Sequence, residues 1–300
     1  MSDRSTAWPA LPLASWQDTY ETLHMWLQVV GKIRMARTPH VNHWWEVPLY
    51  VTSRGLTTSP IPYGTRTFEL TFDFLEHALR IETSDGRRDV LPLVPMTVAD
   101  FYADLMTRLR RLDLDVTIRP IPCEIPSPIP FAEDRVHRSY DADAAARWWR
   151  AVVQTDRVFK EFRARFHGKA SPVHLFWGAF DLAVTRFSGR QAPAREWPQL
   201  AAVMRDAYSH EVISAGFWPG GWGIDEPAYY AYAVPEPPGF KDAVVKPAAA
   251  RYEASLGEFV LPYDAVRTSA SPDETLLDFL QTTYEAGANL GHWDRQALEG

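Results

Sequence analysis

The sequence predicts an α+β fold of two pseudo-repeats, each a mostly antiparallel β-sheet flanked by an N-terminal and a C-terminal helix, fused into one compact body. Three observations predict it. A series of helix, aromatic strand, further strands, the tripeptide VLP and a closing helix runs from about Ser15 to Leu112 and again from about Asp141 to Leu290. Identities recur at offsets that grow along the chain. Trp45 matches Trp177 and Arg54 matches Arg186 at 132, Val90-Leu91-Pro92 matches Val260-Leu261-Pro262 at 170, and Asp100-Phe101 matches Asp278-Phe279 at 178. Insertions at SGRQAPAREWP and FWPGGWGIDEP in the second copy produce such growth. Strict alternation in RTFELTFDF and HALRIET marks strands with one wet face. The expected division is 1–113 for the first unit, 114–140 for a proline-rich connector and 141–300 for the second unit, which carries the pocket. Units so related are expected to meet across a pseudo-twofold axis, in one continuous sheet or two facing ones.

Each element follows from local chemistry. Ser15 and Asp18 suit a helix start, an oxygen for the free amides and an acid for the first turn. Trp16, Tyr20, Leu23, Leu27 and Val30 then form one buried stripe, and Pro39 ends the helix. HWWEVPLYVTSRG is apolar on both faces, as a strand covered on both sides would be. In RTFELTFDF, Phe68, Leu70, Phe72 and Phe74 point inward. HALRIET buries Leu79 and Ile81 and leaves Arg80 and Glu82 to pair with acids across the hairpin. Asp85-Gly86 turns the chain into RDVLPL. Thr97 caps a helix that buries Phe101, Leu105, Leu109 and Leu112, and its Arg108, Arg110 and Arg111 form a cationic last turn. The prolines of 114–140 permit only an extended connector. Asp141 opens a second long helix with Trp148, Val152, Phe159, Phe162 and Phe166 inward. PVHLFWGAFDLAVTRF follows as a two-sided apolar strand.

Composition narrows the function. The 300 residues are 46% hydrophobic with a formal charge of -7, which describes a globular core and argues against a nucleic-acid partner, since phosphate binding needs clustered bases. The N-terminus lacks an apolar h-region and no run of about eighteen apolar residues occurs, so no membrane partner and a cytoplasmic location are expected. One cysteine, Cys123, excludes an internal disulfide and a cysteine-based metal knuckle. Oligomeric state is left open.

The second copy is where chemistry is expected. Its HEVISAGFW and AYYAYAV segments are apolar on both faces, so Tyr229, Tyr230 and Tyr232 need cover from the connector and loops, the other copy, or a ligand. Asp181 interrupts an apolar strand where the first copy has Leu49, and a buried carboxylate needs a partner. Arg186 or His210 is the expected one. Asp181 and His210 facing one cavity would form an acid–base pair. Arg186 would hold an anionic part of a ligand, and Trp177, Trp218 and Tyr230 would supply stacking surface. His40, His43 and Glu46 have an HxxHxxE spacing, but on a strand the two histidines point to opposite sides, so no metal is expected. Ser209-His210-Glu211 has the letters of a hydrolase triad without its geometry, and Ser214 is a weak nucleophile candidate. The PGGWG run between Trp218 and Trp222 suits a lid or a stacking platform and fits no phosphate loop. No motif names a cofactor. The leading reading is a small-molecule binder or enzyme with an aromatic-lined pocket. Alternatives are a non-catalytic protein- or glycan-interaction module, and metal-dependent catalysis through His40, His43 and His174 or His210.

The segments VNHWWEVPLYVTSRGLTTSPIPYG, RFHGKASPVHLFWGAFDLAVTRFSGR, YSHEVISAGFWPGG and GEFVLPYDAVR resemble a bacterial family known only as a domain of unknown function. The resemblance covers nearly the whole chain. It implies no activity, cofactor or catalytic residue.

Overall fold

The computed structural model describes residues 7–193, 201–221 and 223–299. Helix α1 (Gln17–Arg37) leads into strands β1 (Tyr50–Val51), β2 (Gly55–Thr57), β3 (Ile61–Tyr63), β4 (Arg66–Asp73), β5 (Ala78–Thr83) and β6 (Arg88–Pro92), then helix α2 (Val98–Arg111). After the connector come α3 (Ala142–Ala164), β7 (His174–Phe176), β8 (Asp181–Gln191), α4 (Ala201–Ala207), β9 (His210–Trp218), β10 (Ala228–Val234), β11 (Arg251–Glu253) and β12 (Glu258–Pro262). Helices α5 (Tyr263–Arg267), α6 (Pro272–Leu290) and α7 (Arg295–Glu299) close the chain. The strands make two antiparallel six-stranded sheets.

The two sheets share a strand order. One runs β1-β2-β4-β5-β6 with β3 also on β4, and the other runs β7-β8-β9-β10-β12 with β11 outside β12. Register carries the correspondence to single residues. Ala78 and Leu79 pair with Pro92 and Leu91, and Ala228 and Tyr229 pair with Pro262 and Leu261. The VLP match at 170 is therefore positional. Leu79 also faces Phe72, which faces Leu56, while Tyr229 faces Phe217, which faces Leu182. Leu56 thus corresponds to Leu182, and Gly55, not Leu49, corresponds to Asp181. The matches at 132 are coincidental. Trp45 precedes β1 whereas Trp177 follows β7, and Arg54 stands in a turn whereas Arg186 lies inside β8.

Leu49 and Leu175 exchange both backbone hydrogen bonds, each 2.9 Å, and join the sheets edge to edge. Helices α1, α2, α3 and α6 lie together on one side, with one apolar cluster running through both halves. Burying so much aromatic and aliphatic surface in one layer is the main stabilising term of the fold.

Two of the three expected caps form; Ser15 is the exception, because its hydroxyl donates back to Pro12 O at 2.8 Å and α1 starts after Trp16 with no side-chain cap. Thr97 Oγ1 accepts from Asp100 N at 3.1 Å and Asp141 Oδ1 from Ala144 N at 3.1 Å. Helix α1 departs from its expected single stripe: every residue from Thr22 to Arg34 is buried. The connector crosses its outer side, where Gln28 Nε2 donates to Cys123 O (2.8 Å) and Cys123 N donates back to Gln28 Oε1 (2.9 Å). Ser139 N and Asp141 N bond to Thr22 and Thr19 in the same way. Polar residues on that face satisfy connector backbone instead of water.

Two expected strands are interrupted. In HWWEVPLYVTSRG, His43 and Trp44 have positive φ (62° and 59°), which turns the chain before Pro48 and leaves only Tyr50–Val51 and Gly55–Thr57 as strand. PVHLFWGAFDLAVTRF is a hairpin, because residues 177–180 form a turn between β7 and β8.

Candidate functional site

Alternation along β8 sends Leu182, Val184 and Arg186 toward the helices and Asp181, Ala183, Thr185 and Phe187 to the opposite face. In the first sheet the corresponding face is a solvated ladder, with Thr71 and Arg80 where the second sheet has Gly216 and Tyr230. The second sheet is roofed there. His43 and Trp45 come from the turn before β1, Glu124 from the connector, and Met204, Ala207 and Tyr208 from α4 and its end. Between floor and roof lies a cavity of about 410 Å³. Trp218, Tyr230 and Tyr232 form a stacked row on its floor, with ring centroids 4.3 and 6.0 Å apart.

The turn before β8 places Asp181. Trp177 Nε1 donates to Val47 O (2.8 Å), and His24 Nε2 donates to Trp177 O (3.0 Å) and Gly178 O (2.9 Å). Phe180 takes the left-handed region (φ 58°), costly for an aromatic residue, and its ring is held by a parallel stack on His24 at 5.0 Å and by Trp148 at 4.9 Å. Strain at Phe180 is thus overcome by packing, and the next side chain is delivered to the cavity.

There the Tyr230 hydroxyl donates to Asp181 Oδ2. The ring can reach across because its neighbour on β9 is Gly216, where a Cβ would lie 2.2 Å from the Tyr230 hydroxyl. Asp181 is 5% exposed, and its Oδ1 has no partner; Glu258 Oε2 is likewise buried and unpartnered. Burial pushes the Asp181 carboxyl up to about 7, against the pull of the Tyr230 hydrogen bond. Glu258 rises to about 8, first through burial and then through the charge on Asp181, which ionises earlier. Glu124 is also raised by burial, and Lys32 works against that shift. At the other end Ser214 bonds to Thr185 (2.9 Å) and Tyr208 to Tyr232 (2.9 Å).

The residues singled out in the sequence divide. Asp181, Trp218 and Tyr230 line the cavity together. Arg186 does not: it lies on the helical side, its guanidinium 3.5 Å from the Phe162 centroid and 4.3 Å from that of Tyr284, donating to Phe162 O. Trp177 is a packing residue beneath α1, seated on Gly31. His210 cannot pair with Asp181, because it starts β9 while the register sets Asp181 beside Trp218 at the far end, about 26 Å away at the usual rise per residue. It instead meets Ser209 Oγ at 3.0 Å and faces the His43 ring. Tyr229 points to the helices, bonded to Thr155 at 3.1 Å. Trp222 lies outside the described residues.

Sequence reasoning missed Glu124, Glu258 and Tyr208. Glu258 had a signal: counting back from the shared VLP places it opposite Tyr232, on the strand face of Tyr230. Glu124, alone among prolines, had none. His40 Nδ1 and Glu46 Oε1 pair at 2.9 Å, while His43 turns away to Asp206 O and Lys169. Among the described residues no group of histidine, cysteine, aspartate and glutamate is arranged to hold a metal. No described helix is long and apolar enough to cross a membrane. A family described as a family of unknown function, DUF5996, matches residues 8–300. No curated protein and no solved structure matches the chain.

Proposed function

From the premise that the chain belongs to this family of unknown function, which assigns it no activity, we propose that the protein binds a small molecule in the cavity over the second sheet. One observation carries the reading: a carboxyl with an unpartnered oxygen is buried in an aromatic-lined cavity. The architecture does not demand it. Gly55 takes the corresponding place in the first sheet, and a buried acid lowers stability unless something completes its hydrogen bonds. Asp181 and Tyr230 anchor the ligand's polar group, and Trp218 and Tyr232 supply apolar surface. With its proton exchanging near neutrality, Asp181 also suits acid–base chemistry on what binds.

The lone unpaired Cys123 fits a reducing, cytoplasmic setting, and the shared strand register supports an internal duplication.

Native mass spectrometry of protein taken gently from cells, beside an Ala183→Trp variant that fills the cavity, tests the proposal. A mass retained by the wild type and lost from the variant is expected. Equal retention by both would put the ligand elsewhere. No retention, joined to no hit in a fragment screen by ligand-observed NMR, would remove the binding reading.

A further inference from the structure

The cavity has a chemical polarity that narrows its ligand. Three carboxyl groups, Asp181, Glu258 and Glu124, line it, and among the described lining residues there is no lysine or arginine. The nearest cations stand outside. Lys169 is exposed, its Nζ 2.8 Å from His43 Nε2 and over the rings of Trp45 and Phe187, which line the cavity at the Phe187 end of β8, away from Asp181. Lys32 acts on Glu124 from α1. Two buried carboxyl oxygens, Asp181 Oδ1 and Glu258 Oε2, have no donor. A missing donor beside π faces is the complement of a positively charged N–H group: carboxylates accept its hydrogens, and the ring faces carry the negative end of the aromatic quadrupole.

We propose that this cavity takes an organic cation, an ammonium group on an apolar body, with its charged end at Asp181 and Glu258 and its body against Trp218, Tyr230 and Tyr232. The inference rests on the binding function proposed above and adds the charge of the ligand. A neutral donor could fill one oxygen, but only a cation also keeps both carboxyls ionised against their mutual repulsion. An anion would meet three acids.

The test is calorimetric titration of the full chain with three probes of one shape: benzylammonium, benzyl alcohol and benzoate. At about pH 8.5, where both carboxyls are ionised, benzylammonium is expected to bind at least about tenfold more tightly than the other two. Its affinity should fall by a similar factor at about pH 5.5, as Asp181 and Glu258 take up protons. Asp181→Asn and Glu258→Gln, each checked for an unchanged circular dichroism spectrum, should lose that preference. Benzyl alcohol or benzoate binding as tightly, or a benzylammonium affinity indifferent to pH and to both variants, overturns the charge assignment and leaves small-molecule binding standing. Failure of all three probes, with the Ala183→Trp comparison also negative, overturns both.

Discussion

The Tyr50 ring stands edge-on to the His174 imidazole, with centroids 5.6 Å apart, at the seam between the sheets. The two residues are each other's counterparts. Tyr50 pairs with Thr57 on β2 and His174 with Ala183 on β8, positions that correspond once Leu56 is set on Leu182. The Leu49–Leu175 bridge fits the same relation, because an antiparallel pair in that register places Tyr50 opposite His174. The register at the seam is therefore locally twofold, with a tyrosine and a buried histidine facing across it.

That histidine should lower the acid stability of the protein, as should His24, which burial pushes down to about 4. Burial, reinforced by Arg34 and Arg163, pushes His174 down to about 3. Below about pH 6.5 the unfolded chain therefore binds a proton the folded one refuses, and stability falls as pH falls from there toward about 3. His174→Leu should remove this loss, gaining about 2–3 kcal/mol over the wild type at pH 4.5 relative to pH 7. Urea midpoints at both pH values measure it, and parallel shifts in the two proteins would contradict it.

Asp181 should act with the opposite sign. Its folded-state value is raised, so between about pH 4 and about 7 the native state holds a proton that the unfolded chain releases, and stability declines as pH rises through that window. Asp181→Asn keeps an acceptor for Tyr230 and cannot ionise. The variant should exceed the wild type by about 2–4 kcal/mol at pH 8 and match it within about 1 kcal/mol at pH 4. Thermal melts across that range decide it. Greater stability with weaker ligand binding is the expected mark of a site held against the preference of the core.

Gly216→Ala should damage the site through Tyr230. The new Cβ would occupy the space of the phenol, so the ring must swing off the neighbouring strand and release Asp181. A stability cost of about 1–3 kcal/mol is expected from the displaced packing. Binding of the cavity ligand should drop at least tenfold. A variant that binds as well as the wild type would show that the Tyr230–Asp181 contact is dispensable.

Arg186 provides the contrasting case. Its guanidinium is buried among Phe162, Phe166 and Tyr284, with burial as the main cause of a value lowered to about 10. Truncation to alanine removes cation–π contacts and opens a void. Arg186→Ala should cost about 3 kcal/mol in a denaturant titration, while cavity binding, measured well below the melting temperature, stays within a factor of about two.

Much of the architecture was legible because it is written in local chemistry. The period-two patterns of β4 and β5, the Thr97 and Asp141 caps and the repeated VLP each depend on neighbours a few residues away. The matches at 132 failed because single Trp and Arg identities carry no register, whereas a tripeptide within paired strands does. Helix α1 hid its full burial for a related reason. His24, Gln28 and Lys32 look solvent-facing in sequence, and only the connector at Cys123 together with the turn between β7 and β8 makes them interior.

Sequence alone determined the α+β class, the doubled strand order and the C-terminal half as the one with an aromatic face, since these follow from side-chain period and composition along the chain. Which residues share the cavity was decided in three dimensions. One position along a strand reverses the side a residue faces, which sends Arg186 to the helices and Asp181 to the cavity. Length along β9 parts His210 from Asp181. Glu124 and Glu258, more than a hundred residues apart, meet Asp181 only because the connector crosses over the sheet in which β8 and β12 are both strands. Convergence of that kind is a property of packing, and no local pattern encodes it.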